Sequence, residues 1–241
     1  MSGKARSGRR RARRLGGWRW RIALGLPLLA VMASVALVLP WRWVAPPTSA
    51  FMLRDAAARR GTDAQPIAYR WIPWERISPQ LALAVLAAED QKFPTHRGFD
   101  LVEIARAVEE RRERSRGAST ISQQVAKNLF LWPGRSLMRK GAEAWLTLLI
   151  ELLWPKQRIL EVYLNVAEFG NGIYGASAAS WLHFGVAPRA LSLEQACLLA
   201  AVLPSPRRMS ASRPSEYVRT RAGEIEQVVE SLGGTAYLSR I

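Results

Sequence analysis

Hydroxyls, two neighbouring amides and a cation crowd into Gly117-Ala118-Ser119-Thr120-Ile121-Ser122-Gln123-Gln124-Val125-Ala126-Lys127-Asn128. Thr120 and Gln123 have the spacing of a capping box, threonine at the cap and glutamine at the third helical position. A helix therefore starts there, and its free N–H groups and dipole favour an anion. Gln123 and Lys127 are four apart and share a face, with Gln124 beside them. A surface helix can carry the same residues without any function. What gives the run meaning is its neighbour upstream, Glu89-Asp90-x-x-Phe93-x-x-His96-x-Gly98-x-Asp100.

Glu89 follows a run of apolar residues, where desolvation raises a carboxyl pKa and suits it to general acid–base work. The alternative is that Glu89 and Asp90 pair with Lys92 or Arg97 at the surface. Phe93, His96 and Gly98 describe a fixed loop: an aromatic anchor, a ring for local hydrogen bonds and a permissive backbone position. His96 reads as a structural hydrogen-bonder. Glu143 is the second acid of interest, because Arg135, Arg139 and Glu143 recur every four residues. An exposed pair at that spacing contributes only ~0.3–0.5 kcal/mol and needs no function. With Lys127 nearby, the same stripe becomes a cluster suited to phosphate or diphosphate.

The elements that must position these groups are helices. Ser78-Pro79 caps the first, which runs through Leu81, Leu83, Val85 and Leu86 to Ala88. Others are expected over 100–113, from Thr120, over 136–153, from Pro155 to Asn165, over 176–182, 193–203 and 215–233. Ile159, Leu160, Tyr163 and Leu164 form the apolar side of the fifth. Gly170, Gly172 and Gly175 mark a tight loop. Residues 44–70, with Pro46-Pro47, Gly61 and Pro66, read as a connector with a short strand or two around Ile67–Trp71, and β signal is otherwise sparse. The domain that follows, 71–241, is mainly α.

Charge and hydropathy place this domain. The chain has 241 residues and a net charge of +16, yet residues 1–21 hold nine basic side chains and no acid. Residues 22–39 carry no charge, and at ~1.5 Å per residue they span about 27 Å, close to a bilayer's hydrocarbon core. Trp18 and Trp20 precede the run; Trp41 and Trp43 follow it, as in interfacial belts. The reading is a basic cytoplasmic tail (1–21), a transmembrane anchor (22–43) and everything after residue 45 outside the inner membrane. A cleaved signal peptide and a nucleic-acid-binding arm are the rival readings. The first is disfavoured by the length of the apolar run, and the second by the run itself, so no nucleic-acid partner is expected. Cys197 is the sole cysteine and the histidines number two, which argues against disulfides and zinc and leaves Cys197 as a buried thiol.

Taken in order, these motifs resemble the peptidoglycan glycosyltransferases, which occur alone or joined to penicillin-binding transpeptidase domains. The resemblance covers about residues 70–208. It rests on the 89–100 and 117–128 runs, Arg139-Lys140-x-x-Glu143, Lys156-x-x-Ile159-Leu160-Glu161-x-Tyr163-Leu164-Asn165, Gly170-x-Gly172-x-Tyr174-Gly175 and Glu194-x-Ala196-x-Leu198-Leu199-Ala200. No Ser-x-x-Lys follows, so a monofunctional member without a transpeptidase is expected. His183 departs from the tyrosine often found before the phenylalanine in relatives, and its role is open.

The resemblance implies a lysozyme-like, two-lobed helical domain that joins lipid II to a growing lipid-linked glycan with inversion and loss of undecaprenyl diphosphate. It implies Glu89 as the base and Glu143 as the second acid, assisting the diphosphate or a divalent cation, Mg²⁺ or Mn²⁺. Lys127, Arg135, Arg139 and Lys140 would meet the diphosphate. Ser119, Thr120, Gln123, Gln124 and Asn128 would position substrate, with Asp90, Phe93, His96 and Gly98 shaping the loop. Glu89 and Glu143 are expected to face one cleft, with ~6.5–9.5 Å or more between them to admit the attacking hydroxyl. Implied partners are the inner membrane and proteins of cell division or wall synthesis. The rivals are a lysozyme-like lytic enzyme and a non-catalytic assembly scaffold; Lys127, Arg135 and the anchor argue against the first, and retention of Glu89 and Lys127 against the second.

Overall fold

The structure, a computed structural model, describes residues 25–100, 119–134 and 136–241. Contacts divide the chain at Pro40 into an N-terminal unit and a second unit, Trp41–Ile241. Helix α1, Gly25–Arg42, has a mean hydropathy of 1.6 and is long and apolar enough to cross a membrane. The helix expected over 100–113 and the side chain of Arg135 lie outside the described residues.

Within Trp41–Ile241 the architecture is mainly helical. Helix α2 spans Ala50–Arg59, α3 Pro79–Glu89, α4 Ile121–Phe130, α5 Leu137–Leu153 and α6 Lys156–Val166. Helix α7 spans Gly175–Phe184, α8 Leu193–Val202 and α9 Glu216–Ser231. One group of helices packs α3 against α8, α9 and a C-terminal 3-10 turn; another packs α4 against α5, α6 and α2. Helix α3 is apolar all round and buried from Leu81 to Ala87, as a central helix must be.

Helix α2 corrects the reading of 44–70 as a connector. Ser49 caps it by accepting the Met52 N–H at 3.2 Å. Its Asp55 is buried, paired with Arg59 and with Arg207 at 3.2 Å each, while Arg207 also reaches Glu168 at 3.0 Å. The Pro-Pro and Gly signals are real, but they bracket a ten-residue helix held by partners distant in sequence. The glycine loop is likewise more structured than expected. Glu168–Gly170 (β2) and Ile173–Tyr174 (β3) form an antiparallel pair, and Ala68–Tyr69 (β1) adds a parallel strand beside β3. Gly175 is indispensable there: its φ is +81°, and a Cβ would sit 2.5 Å from the Asn165 carbonyl oxygen.

His183, left open by sequence, joins this sheet to α7. Its Nε2 donates to the Phe169 carbonyl at 3.1 Å, and Nδ1 lies 3.4 Å from Ser212 Oγ. Burial lowers its pKa, opposed by that backbone bond. Cys197 is a buried free thiol whose pKa is pushed up to about 12 by burial.

Candidate active site

Glu89 is the last residue of α3, and Asp90 is its cap, with φ −162° and ψ 75°. The backbone turns out of the helix between the two acids, so adjacent carboxylates diverge. Asp90 is buried and committed. Its Oδ2 accepts the N–H of Ile121, the first residue of α4, at 2.9 Å, and His96 Nε2 donates to it at 2.9 Å. His96 Nδ1 accepts the Gly98 N–H at 3.0 Å, which assigns the ring hydrogen to Nε2. Thr120 Oγ1 then donates to the Gly98 carbonyl at 2.7 Å. Phe93 is buried beneath this loop, its ring edge-on to His96 and 4.4 Å from Lys156 Nζ. Gly98 has φ +87°, and a Cβ would collide with Thr147 at 2.9 Å. These contacts hold the loop in one conformation.

The capping box at the start of α4 is present in full: Gln123 N–H donates to Thr120 Oγ1 at 3.2 Å, and Thr120 N–H donates to Gln123 Oε1 at 3.0 Å. The helix terminus expected to attract a substrate anion is therefore already supplied by the chain, with Asp90 as its anion. Gln123 is buried in this role. Ser122 donates to Glu151, which also accepts from Lys156 at 2.9 Å. Ser119 is exposed and Asn128 is part-buried.

One turn further along α4, the groups able to do chemistry converge. Gln124 Nε2 donates to Glu89 Oε2 at 2.7 Å. Burial raises the Glu89 pKa; the Gln124 bond, then Arg221 and Lys127, oppose the rise, and Asp90 adds to it. Lys127 lies close enough to Glu89 and Glu143 for both to act on its charge. Burial lowers its pKa, Glu143 and Glu89 oppose this, and Arg139 and Lys140 add to it. Glu143 is 3% exposed. Arg139 and Lys140, on its own helix, take one carboxylate oxygen each. This differs from the exposed pair that the spacing alone allowed. A part-buried carboxyl whose pKa burial raises, beside a part-buried lysine, brings a proton acceptor and a cation together.

Residues 59–230 match the family model described as "Transglycosylase". The chain belongs to this family. The biosynthetic peptidoglycan transglycosylase of Pseudomonas putida is 55% identical over 215 residues, covering 88% of this chain and 91% of that protein. Proteins of the same name from Stutzerimonas stutzeri and Pseudomonas fluorescens are 55% and 56% identical, covering 90% and 85% of this chain and 90% and 87% of their own lengths.

For a transglycosylase cleft, two further features matter. Arg221 on α9 faces Glu89, and its Nε is buried without a hydrogen-bond partner. Sequence reading missed it. The available signal was an arginine between Val218, Ala222 and Ile225, on the edge of the helix's buried face. The second feature concerns the divalent cation for which Glu143 was the candidate ligand. Both Glu143 oxygens are already in ion pairs, and the described residues contain no cluster of three or more His, Cys, Asp or Glu. Among the described residues, the groups around Glu143 do not make up a site for a resident metal.

Proposed function

We propose that this transglycosylase polymerises lipid II, with Glu89 as general base and Lys127 as the chief described cation for the departing diphosphate. The observation that carries this reading is geometric: part-buried Glu89, held by the Gln124 amide at 2.7 Å, lies near enough to part-buried Lys127 on the same helix as Gln124 for each to act on the other's charge. The 4-hydroxyl of the acceptor sugar attacks the donor's anomeric carbon, and its proton passes to Glu89. The glycosyl–oxygen bond to the diphosphate breaks, and the charge left on that oxygen is met by Lys127, with Arg135, which the family resemblance also assigns to the diphosphate, as a second cation. A diphosphate needs charge stabilisation more than it needs a proton, so a cation suits this side better than an acid. Glu143 holds Arg139 and Lys140 in place and keeps the Lys127 amine charged by opposing its desolvation.

The same proposal puts the enzyme at the inner membrane with its cleft on the periplasmic side. The basic tail before α1 favours a cytoplasmic N-terminus. A second feature supports contact with lipid. Leu137, Met138, Trp145, Leu148 and Leu152 are all exposed, Leu137 by 93%, and fall within about a third of the α5 circumference. The end of that helix is tied to the first residues of the unit: Arg42 donates to the Leu153 carbonyl at 2.6 Å, and Arg158 donates to those of Trp41 and Val44 at 2.9 and 2.7 Å. An exposed apolar stripe on α5 is suited to the bilayer that holds both substrates.

The test is turnover of labelled lipid II by the purified full chain, with products sized on a gel. Polymer from the native chain and none from Glu89→Gln supports the reading. Sugar fragments released from finished peptidoglycan would favour a lytic enzyme instead.

A further inference from the structure

Tyr163 lies on α6 and is fully buried, an expensive place for a hydroxyl unless it has a partner. Its O–H donates to Gln124 Oε1 at 3.3 Å. The other end of the same amide donates to Glu89 at 2.7 Å. Three side chains from three helices thus form one directed chain, Tyr163 to Gln124 to Glu89. The direction matters because an amide has a donor end and an acceptor end. Rotated by half a turn, Gln124 would set its oxygen against the carboxylate oxygen of Glu89.

We infer that Tyr163 is a positioning residue for the base: its hydroxyl holds the Gln124 amide so that the NH₂ group stays on the Glu89 carboxylate. The inference rests on Glu89 as the base and adds a residue to that site. Without the hydroxyl, Gln124 Oε1 loses the donor that meets it, and the amide is free to turn toward the cleft. Glu89 then loses the strongest of the influences that oppose its raised pKa. The other groups bearing on that carboxyl are Arg221 from α9, Lys127 from α4, and Asp90 beside it. None of them contacts Tyr163 by a hydrogen bond, so they remain as a constant background.

The experiment is the pH profile of kcat for lipid II turnover by the full chain, across about pH 4.5 to 8. In Tyr163→Phe the acidic limb should move up by roughly 0.5–1 pH unit, with much of the high-pH rate retained. Gln124→Met should move it in the same direction, and the double variant no further than Gln124→Met alone, because both act through one amide. A residue needed only for packing would lower the rate at every pH and leave the limb in place. An unmoved limb in Tyr163→Phe, or shifts that add in the double variant, overturns the inference. Should Tyr163→Phe fail to fold, Gln124→Met decides: an unmoved limb there removes the chain's effect on Glu89. Glu89→Gln in the same assay separates the two readings. Native turnover by that variant sinks the base itself, whereas its loss together with an unmoved Tyr163→Phe limb sinks only the positioning role.

Discussion

Glu89 and Glu143 both act on the Lys127 ammonium, yet their surroundings are opposite. Among the described residues, Glu89 is met by one neutral donor, Gln124, with Lys127 and Arg221 near enough to influence it but in no direct ion pair with it. Glu143 is gripped by Arg139 and Lys140 on its own helix, and its backbone carbonyl accepts from Thr147 at 2.7 Å. A carboxyl that must take up a proton cannot be locked into ion pairs, because each pair opposes protonation. A carboxyl that holds cations in place can be. The contrast separates a reacting acid from one that arranges cations.

The strongest way to break that contrast is to neutralise each acid. Glu89→Gln should reduce turnover by roughly 10²–10⁴-fold, the usual scale for a general base. The fold should survive, and the sign of the pKa shift says more. A carboxyl whose folded value is raised weakens the folded state at pH above that value, and the penalty vanishes below the unfolded value. Glu89→Gln should therefore melt no lower than the native chain near neutral pH, and its relative advantage should shrink as pH falls into the acid range. Glu143→Gln should lower the melting temperature because it breaks an ion-pair cluster. It strands the well-buried Arg139, a loss of about 3 kcal/mol or more for a broken buried pair, visible as a lower Tm. Equal Tm changes in the two variants would erase the distinction between the acids.

Lys127 sharpens the contrast from the cation's side. Its lowered pKa should bring the alkaline limb of the rate profile below the ordinary lysine value of about 10.4. Activity should then fall as pH rises through the lowered value, because the neutral amine no longer meets the diphosphate. Glu143→Gln removes the largest influence that keeps this amine charged. It should pull the limb lower still, and Lys127→Met should abolish it along with most of the rate. An alkaline limb unmoved by Glu143→Gln would mean that Glu143 does not govern Lys127.

What could be read in advance follows the range of the interactions involved. Capping boxes, the Ser78-Pro79 start and the apolar run before Glu89 are local, and each reappears as expected. His96 as a structural bonder was legible because its partners, Asp90 and Gly98, lie within six residues. The Asp90 bond to Ile121, 31 residues away, was not legible, since no periodicity links a loop acid to a distant helix N–H. Arg221 facing Glu89 and Tyr163 behind Gln124 escaped for the same reason. Tyr163 was counted as part of an apolar side, and its ring does pack there; only the position of its hydroxyl, at the end of a chain leading to the base, gives it another meaning.

The smallest expected effect tests which side of the contrast Thr120 belongs to. The family resemblance assigns it to substrate, whereas the structure surrounds it with internal partners: Gln123 N–H, Gln123 Oε1 and the Gly98 carbonyl. As a cap, Thr120→Ala should cost about 1 kcal/mol, read as a modest fall in Tm. Thr120→Ser should restore most of it, because the hydroxyl is the group in use. KM for lipid II should hardly move well below the melting range, since Gln124 and Lys127 still sit on an intact α4. A large rise in KM with an unchanged Tm would transfer Thr120 from the scaffold to the substrate. The start of α4 would then have to open in the bound state, because in the free enzyme Asp90, Gln123 and Thr120 already occupy its N–H groups.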